Sequence, residues 1–352
     1  MSVNKKIIET EAAAEGDFNV VTYTGNGSTQ SITGVGFQPD FVWVKDRGDV
    51  NYSHYVTDST RGTGKVIITN DTIAETTGTN RITSFDSGGF TVGNSAGFNN
   101  NGADYVAWCW KANGGVTSSN TDGSITSTVQ ANQDAGFSIV KYTGTGVNNA
   151  TFGHGLSAAP EFVIFKTLDV IDNWRVVHKD LANANGYLIL NSTGGEVTAL
   201  GGDGSIVRDG ISATTITCTA GSSTSNNTNK SGDNYIAYCF HSVAGYSKIG
   251  SYSGNGGSNS ITGLGFQPDF VMIKSTGSGS WFIYDSVRSV SVGDNAGTAN
   301  ARPYILPSSS NKENGATSYN VNLDSNGFSM NTSTTDLNVN GTTYIYMAFK
   351  IN

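Results

Sequence analysis

The sequence predicts an all-β protein made of three tandem β-sandwich or jelly-roll-like repeats of roughly 110 residues behind a short N-terminal leader. Three observations carry this: the composition, a segment that recurs three times, and a strand that closes each recurrence. The 352 residues include 45 Gly but only 5 Pro, and 14% are charged. Gly, Asn, Ser and Thr interrupt aromatic and β-branched residues, the pattern of many short strands joined by tight turns. With 37% hydrophobic residues the chain has enough apolar surface for real cores, and Gly shows no collagen period.

An internal repeat governs the assignment of every other element. Residues 23–45 read YTGNGSTQSITGVGFQPDFVWVK and residues 252–274 read YSGNGGSNSITGLGFQPDFVMIK. A more divergent middle copy, residues 142–166, reads YTGTGVNNATFGHGLSAAPEFVIFK. Pro39, Pro160 and Pro268 mark the copies. Each copy closes on one strand, seen as YVAWCWK at 105–111, YIAYCFH at 235–241 and YIYMAFK at 344–350. A period of two puts Val106, Trp108 and Trp110 on one face, expected to be core, and Tyr105, Ala107, Cys109 and Lys111 on the other. FDSGGFTV at 85–92 and LDSNGFSM at 323–330 read as hairpins, with a loose middle equivalent near Asp209 to Ile211. The units are therefore 16–113, 135–243 and 244–352, with 114–134 a linker or an extra hairpin. Residues 1–15 form a leader whose helix-friendly part, Lys5 to Glu15, suits an attachment peptide, with Lys5, Lys6, Ile7 and Ile8 as candidate contacts.

Charge and patterning exclude several functions. The formal net charge of −8 opposes binding to a phosphate backbone, so no nucleic-acid partner is expected. No apolar run reaches the ~20 residues a spanning helix needs, and no signal peptide is legible, so synthesis in a cytoplasm without membrane insertion is expected.

Cys109 and Cys239 share the closing-strand position that holds Ala348, which reads as a small buried apolar site, and Cys218 stands alone. The four histidines do not cluster. His54 falls where the third copy has Trp281, and aligning the copies on Asp58, Asp180 and Asp285 sets His178 against Val56 and Ile283. No catalytic triad is expected. Asp58-Ser-Thr-Arg61 and Asp285-Ser-Val-Arg288 recur at one place in the repeat, where the middle copy has Asp180-Leu-Ala-Asn183. They suit either a turn-capping Asp with a paired Arg or a polar rim for a sugar.

Glu75, Glu161, Glu196 and Glu313 fall at no equivalent positions, which weakens a glycosidase reading. Asp-containing turns at 121–124, 202–205 and 293–296 lack dedicated Ca²⁺-loop spacing. Neither metal nor cofactor is expected. Arg47-Gly48-Asp49 is assigned no adhesive role. Tyr52, His54, Tyr55, Trp174 and Trp281 sit in or beside a variable loop, and with Asp58, Arg61, Asp285 and Arg288 they form the candidate carbohydrate or receptor site. The aromatic residues equally suit a buried subunit contact.

The repeat segment, Asp58-Ser-Thr-Arg61, FDSGGFTV and YVAWCWK together resemble a repeated β domain found in tail-fibre and other virion surface proteins of marine bacteriophages, notably those infecting cyanobacteria. The resemblance implies a lectin-like sandwich on the outside of a virion, attached to tail or capsid proteins through the leader, and a homo-oligomer, a trimer by analogy. The expected function is non-enzymatic: a tail-fibre or receptor-binding protein touching host-surface polysaccharide. The alternatives are a structural capsid-decoration or tail/collar adaptor protein and, ranked lower, a polysaccharide depolymerase.

Overall fold

The computed structural model describes residues 16–198, 206–219, 228–288 and 302–351. It is all-β and antiparallel, and helix among the described residues is confined to Ala96–Asn99 and a 3-10 turn at Thr317–Tyr319. Six sheets form three pairs, each a larger sheet facing a three-stranded one.

Every larger sheet has the same four-strand centre. An opening strand (Phe18–Thr24, Phe137–Thr143, Ser247–Ser253) pairs with the closing strand (Asp104–Trp110, Asn234–Phe240, Thr343–Phe349). On its other side the closing strand pairs with the strand after the marker proline (Phe41–Asp46, Phe162–Thr167, Phe270–Ser275). A fourth strand follows (His54–Asp58, Arg175–His178, Trp281–Asp285). The small sheets carry the anticipated hairpins. Ile82–Asp86 pairs with Gly89–Val92, and Val321–Asp324 with Gly327–Asn331. The loose middle equivalent is Ile206–Ile211 paired with Thr215–Cys218.

The recurring motifs have local physical causes. At the first glycine of the YxGxG turn, Gly25, Gly144 or Gly254, an added Cβ would lie 2.1–2.2 Å from a backbone oxygen of the facing loop. Only glycine permits that approach. The carboxylate after each marker proline accepts from the backbone N–H two residues beyond the closing strand: Ala112 to Asp40, Ser242 to Glu161 and Ile351 to Asp269. Each unit is thereby tied shut where the chain leaves it. Residues 114–134 are not a bare linker. Ser118–Asn120 and Ser127–Asn132 form a hairpin that extends the middle sheet beside Phe137–Thr143. Gln130 binds back to Ser59 and Thr60 of the first unit.

The decisive feature is that the closing strands are buried on both faces. Tyr105, Ala107 and Cys109, with their counterparts, fill the interior of their own sandwich. Cys109, Cys239 and Ala348 are all fully buried, as a small apolar position requires. The face of Val106, Trp108 and Trp110 is core as expected, but it belongs to a fourth cluster built from all three units. Strand ends meet at its middle: Trp110, Phe240 and Phe349, each the last residue of its closing strand, have ring centroids 5.6–6.1 Å apart. Phe18 lies 5.6 Å from Phe270 and 5.3 Å from Phe349, and Phe41 lies 4.6 Å from Tyr238. Burying one such side chain stabilises by roughly 1.5–3 kcal/mol, so this cluster is a large part of what holds the fold.

Candidate functional site

The residues singled out for a carbohydrate site come together, but at the joints between units. Asp58 sits opposite Phe41 at the end of the fourth strand, and its Oδ1 accepts the backbone N–H of Arg61 at 2.8 Å. Arg61 folds back so that its Nε donates to Asp58 Oδ2 and its Nη2 to the carbonyl of Val56. The remaining Nη1 reaches Glu75 at 3.0 Å. Tyr238 of the second unit donates its hydroxyl to Asp58 Oδ2 at 2.7 Å. In the third unit Arg288 repeats the geometry on Asp285, Ile283 and Glu313, and Trp108 of the first unit donates its indole N–H to Asp285 Oδ2 at 3.0 Å. All four charged residues are 5% exposed or less. A sugar has no access to them, so the turn-capping reading holds and the sugar-rim reading is corrected. Burial disfavours the Arg61 charge, but Asp58, Tyr238 and Glu75 outweigh it and hold the guanidinium protonated.

The middle unit follows a register two residues away from the sequence alignment. His178, not Asp180, lies opposite Phe162 as Asp58 lies opposite Phe41. Its Nδ1 accepts the N–H of Asp180 at 3.0 Å, much as Asp285 accepts that of Val287. Leu181, buried in the shared core, therefore stands where the other units have Arg61 and Arg288. The closing strand that would face this set carries Met347, which has no N–H or O–H to donate, in place of Trp108 and Tyr238. All three members differ together: a histidine, a leucine and a methionine stand where the other units have an acid, an arginine and a donor.

The glutamates require a second correction, since three of the four are equivalent once the units are assembled. Each donates its backbone N–H to the carbonyl two residues past a buried lysine of the next unit: Glu75 to Leu168, Glu196 to Thr276 and Glu313 to Arg47. The contacts run first to second, second to third and third to first, a closed cycle. Glu313 also takes a two-pronged bond from Arg47 at 2.9 Å for each oxygen, which makes Arg47 a joint residue. Without an arginine to meet, Glu196 instead accepts from the backbone of Ala182 and Asn183 and from the Asn183 amide.

The aromatic candidates belong to the same cycle. Trp174 donates its indole N–H to the carbonyl of Ile68 in the first unit at 2.7 Å, and Trp281 donates to Ile189 in the second at 3.0 Å. His54 holds the third such position, with the backbone of Leu306 beside its ring, and its Nδ1 accepts from Trp43. Each of the three is at most 1% exposed. They serve as the buried contact, made within one chain. Tyr55 packs on Phe98 with ring centroids 4.9 Å apart, and Tyr52 is half-buried. The leader residues Lys5, Lys6, Ile7 and Ile8, and the turns at 202–205 and 293–296, lie outside the described residues.

Sequence reasoning missed Lys45, Lys166 and Lys274, which end the three marker-proline segments and are at most 1% exposed. Their ammonium groups hold backbone carbonyls: Asp46 and Asp49 for Lys45, Thr72 and Asp172 for Lys166, Ser275 and Gly277 for Lys274. Burial pushes each pKa down to about 8. Their recurrence after an otherwise apolar strand was the available signal. Among the described residues no three His, Cys, Asp or Glu side chains are grouped to hold a metal ion. Burial also raises all three thiols, Cys218 and Cys239 to about 12.

Two outcomes follow for the joints. Arg61→Leu alone strands the Asp58 carboxylate and should cost about 3–5 kcal/mol in urea unfolding, the range for one partner of a buried pair. Importing the middle unit's whole set, Asp58→His with Arg61→Leu and Tyr238→Met, should recover most of that loss. Acidification should weaken the fold as well. Burial holds His154 and His178 at about 4 and His54 well below its ordinary value. The unfolded chain takes up these protons near pH 6.5 and the folded chain does not, so stability is whole above about pH 6.5 and falls towards pH 4. Urea midpoints between pH 8 and 4 check the sign, and His178→Phe should flatten part of the slope.

No curated protein and no solved structure matches the chain. One family model spans residues 14–352 and encloses all three units together. The chain thus belongs to the family described as "Domain of unknown function (DUF7483)".

Proposed function

We propose that this protein is a non-enzymatic virion surface protein, a tail-fibre or receptor-binding element that contacts host-surface glycan through loops carried on a rigid ring of three units. The observation that carries this is how the chemistry is distributed. Asp58, Arg61, Asp285, Arg288, His54, Trp174 and Trp281 are used in locking the units together, while the loops between the buried lysine and the next joint residue, His54, Trp174 or Trp281, differ in every copy. They span residues 46–53, 167–173 and 275–280, and the tips of the first two expose Val50 and Ile171. A rigid frame with loops that vary in length and sequence is a common arrangement for recognition. In this reading the leader, including Lys5, Lys6, Ile7 and Ile8, docks on tail or capsid proteins, and the particle presents several copies.

A structural role as a capsid-decoration or tail/collar adaptor is the second reading. Ile171, 72% exposed at a loop tip, favours it, since an unpartnered aliphatic side chain suits a protein contact better than a hydrated sugar. Competition of particle adsorption by the purified chain, together with an array of host envelope glycans, separates the two. The proposal expects blocked adsorption and saccharide binding with no shortening of the polysaccharide. Absence of both binding and competition contradicts it, and shortened chains would favour a depolymerase.

A further inference from the structure

The three joints are built alike but do not close alike. At the first-to-second joint the N–H of Asp172 donates to the carbonyl of Thr72 at 2.9 Å. At the second-to-third joint the N–H of Gly279 donates to Thr193 at 2.8 Å. Thr72 and Thr193 each lie four residues after the carbonyl that accepts a tryptophan, and the donors lie two residues before those tryptophans. The matching pair at the third-to-first joint is Tyr52 and Ser310. Among the described residues no backbone bond joins them. The loop involved, residues 46–53, is the longest of the three, and Asp46 and Asp49 fold it on itself by accepting from Gly48, Asp49 and Asn51.

A cavity of about 330 Å³ opens at this joint, lined by Val50 of the first unit and by Tyr304, Leu306, Asn311, Lys312, Glu313 and Asn314 of the third. This is the lower end of the size of small-molecule sites, roughly 300–1,000 Å³. Its floor is held in place: Tyr304 packs among Phe282, Tyr284 and Tyr319, and strand-like bonds run between Tyr304 and Asn314. The Glu313 carboxylate is already neutralised by Arg47 and Arg288, so it does not demand a cationic ligand. What remains of the lining is an apolar wall of Val50, Leu306 and Tyr304 beside Asn311, with Lys312 and Asn314 each already engaged in an interaction of its own.

We infer that the open third-to-first joint is a binding site for one or two residues of a neutral saccharide, whose C–H face lies on the apolar wall and whose hydroxyls meet the Asn311 amide. This rests on the glycan-contact reading and names its site. It also moves the contact from the aromatic residues legible in the sequence to a cavity whose lining they do not supply.

The test is saturation-transfer NMR on the intact chain with maltose, cellobiose and lactose, repeated with Val50→Trp, Asn311→Leu and Val116→Trp. Val50→Trp fills the cavity, whereas Val116→Trp places the same ring on an exposed position outside the three loops. Binding of at least one disaccharide is expected, weakened tenfold or more by Val50→Trp and by Asn311→Leu and unchanged by Val116→Trp. Unchanged urea midpoints show that each variant is folded, and Asn311→Leu, at an exposed position, keeps the test usable if Val50→Trp is not. Equal binding by wild type and both cavity variants overturns the site. No disaccharide binding overturns the ligand class, and if glycan-array binding persists in that case, the broader proposed function survives its failure.

Discussion

Everything in this molecule depends on a closing strand with no solvent face. In an isolated sandwich one face of the outer sheet is hydrated, and alternation leaves polar residues there. Here both faces of YVAWCWK, YIAYCFH and YIYMAFK are apolar. One face completes its own sandwich and the other must find a second covering. The three units supply it to one another around Trp110, Phe240 and Phe349. A unit taken out of the chain would expose tryptophan and phenylalanine together, a patch that soluble surfaces do not tolerate.

The joints show how one geometric demand is met by two chemistries. A buried Asp–Arg pair carries a desolvation cost that its mutual attraction offsets only when every remaining donor and acceptor is satisfied. At Asp58 and Asp285 that condition is met by backbone N–H groups, a glutamate and an aromatic donor from the neighbouring unit. In the middle unit the charges are gone, and with them the donor and the arginine. Partial replacement would leave a buried charge unpaired, and this accounts for three positions in two units differing as one set.

Much of the fold was legible because it is written in short-range chemistry. The YxGxG turns, the proline markers and the period-two alternation are local rules, so the repeat, the strands and the buried thiol position could be read directly. The joints were not, because their partners lie in other units. Nothing local distinguishes Glu75, Glu196 and Glu313 as equivalent: the match appears only through the carbonyls of Leu168, Thr276 and Arg47. His178 was misaligned because Asp180 mimics Asp58 in sequence while the ladder with Phe162 sets the true register. Trp174 and Trp281 are aromatic residues beside variable loops, which is the signature of a binding site and of an internal lock alike. Sequence cannot separate these, and their bonds to Ile68 and Ile189 do.

One shared core makes one cooperative unit, and three self-sufficient sandwiches would make three. Differential scanning calorimetry of the intact chain measures this most directly. A single transition whose van't Hoff and calorimetric enthalpies agree, shifted as a whole to lower temperature by Phe240→Ala, is what the shared core predicts. Two or three separable transitions, with only one of them moved by Phe240→Ala, would contradict it.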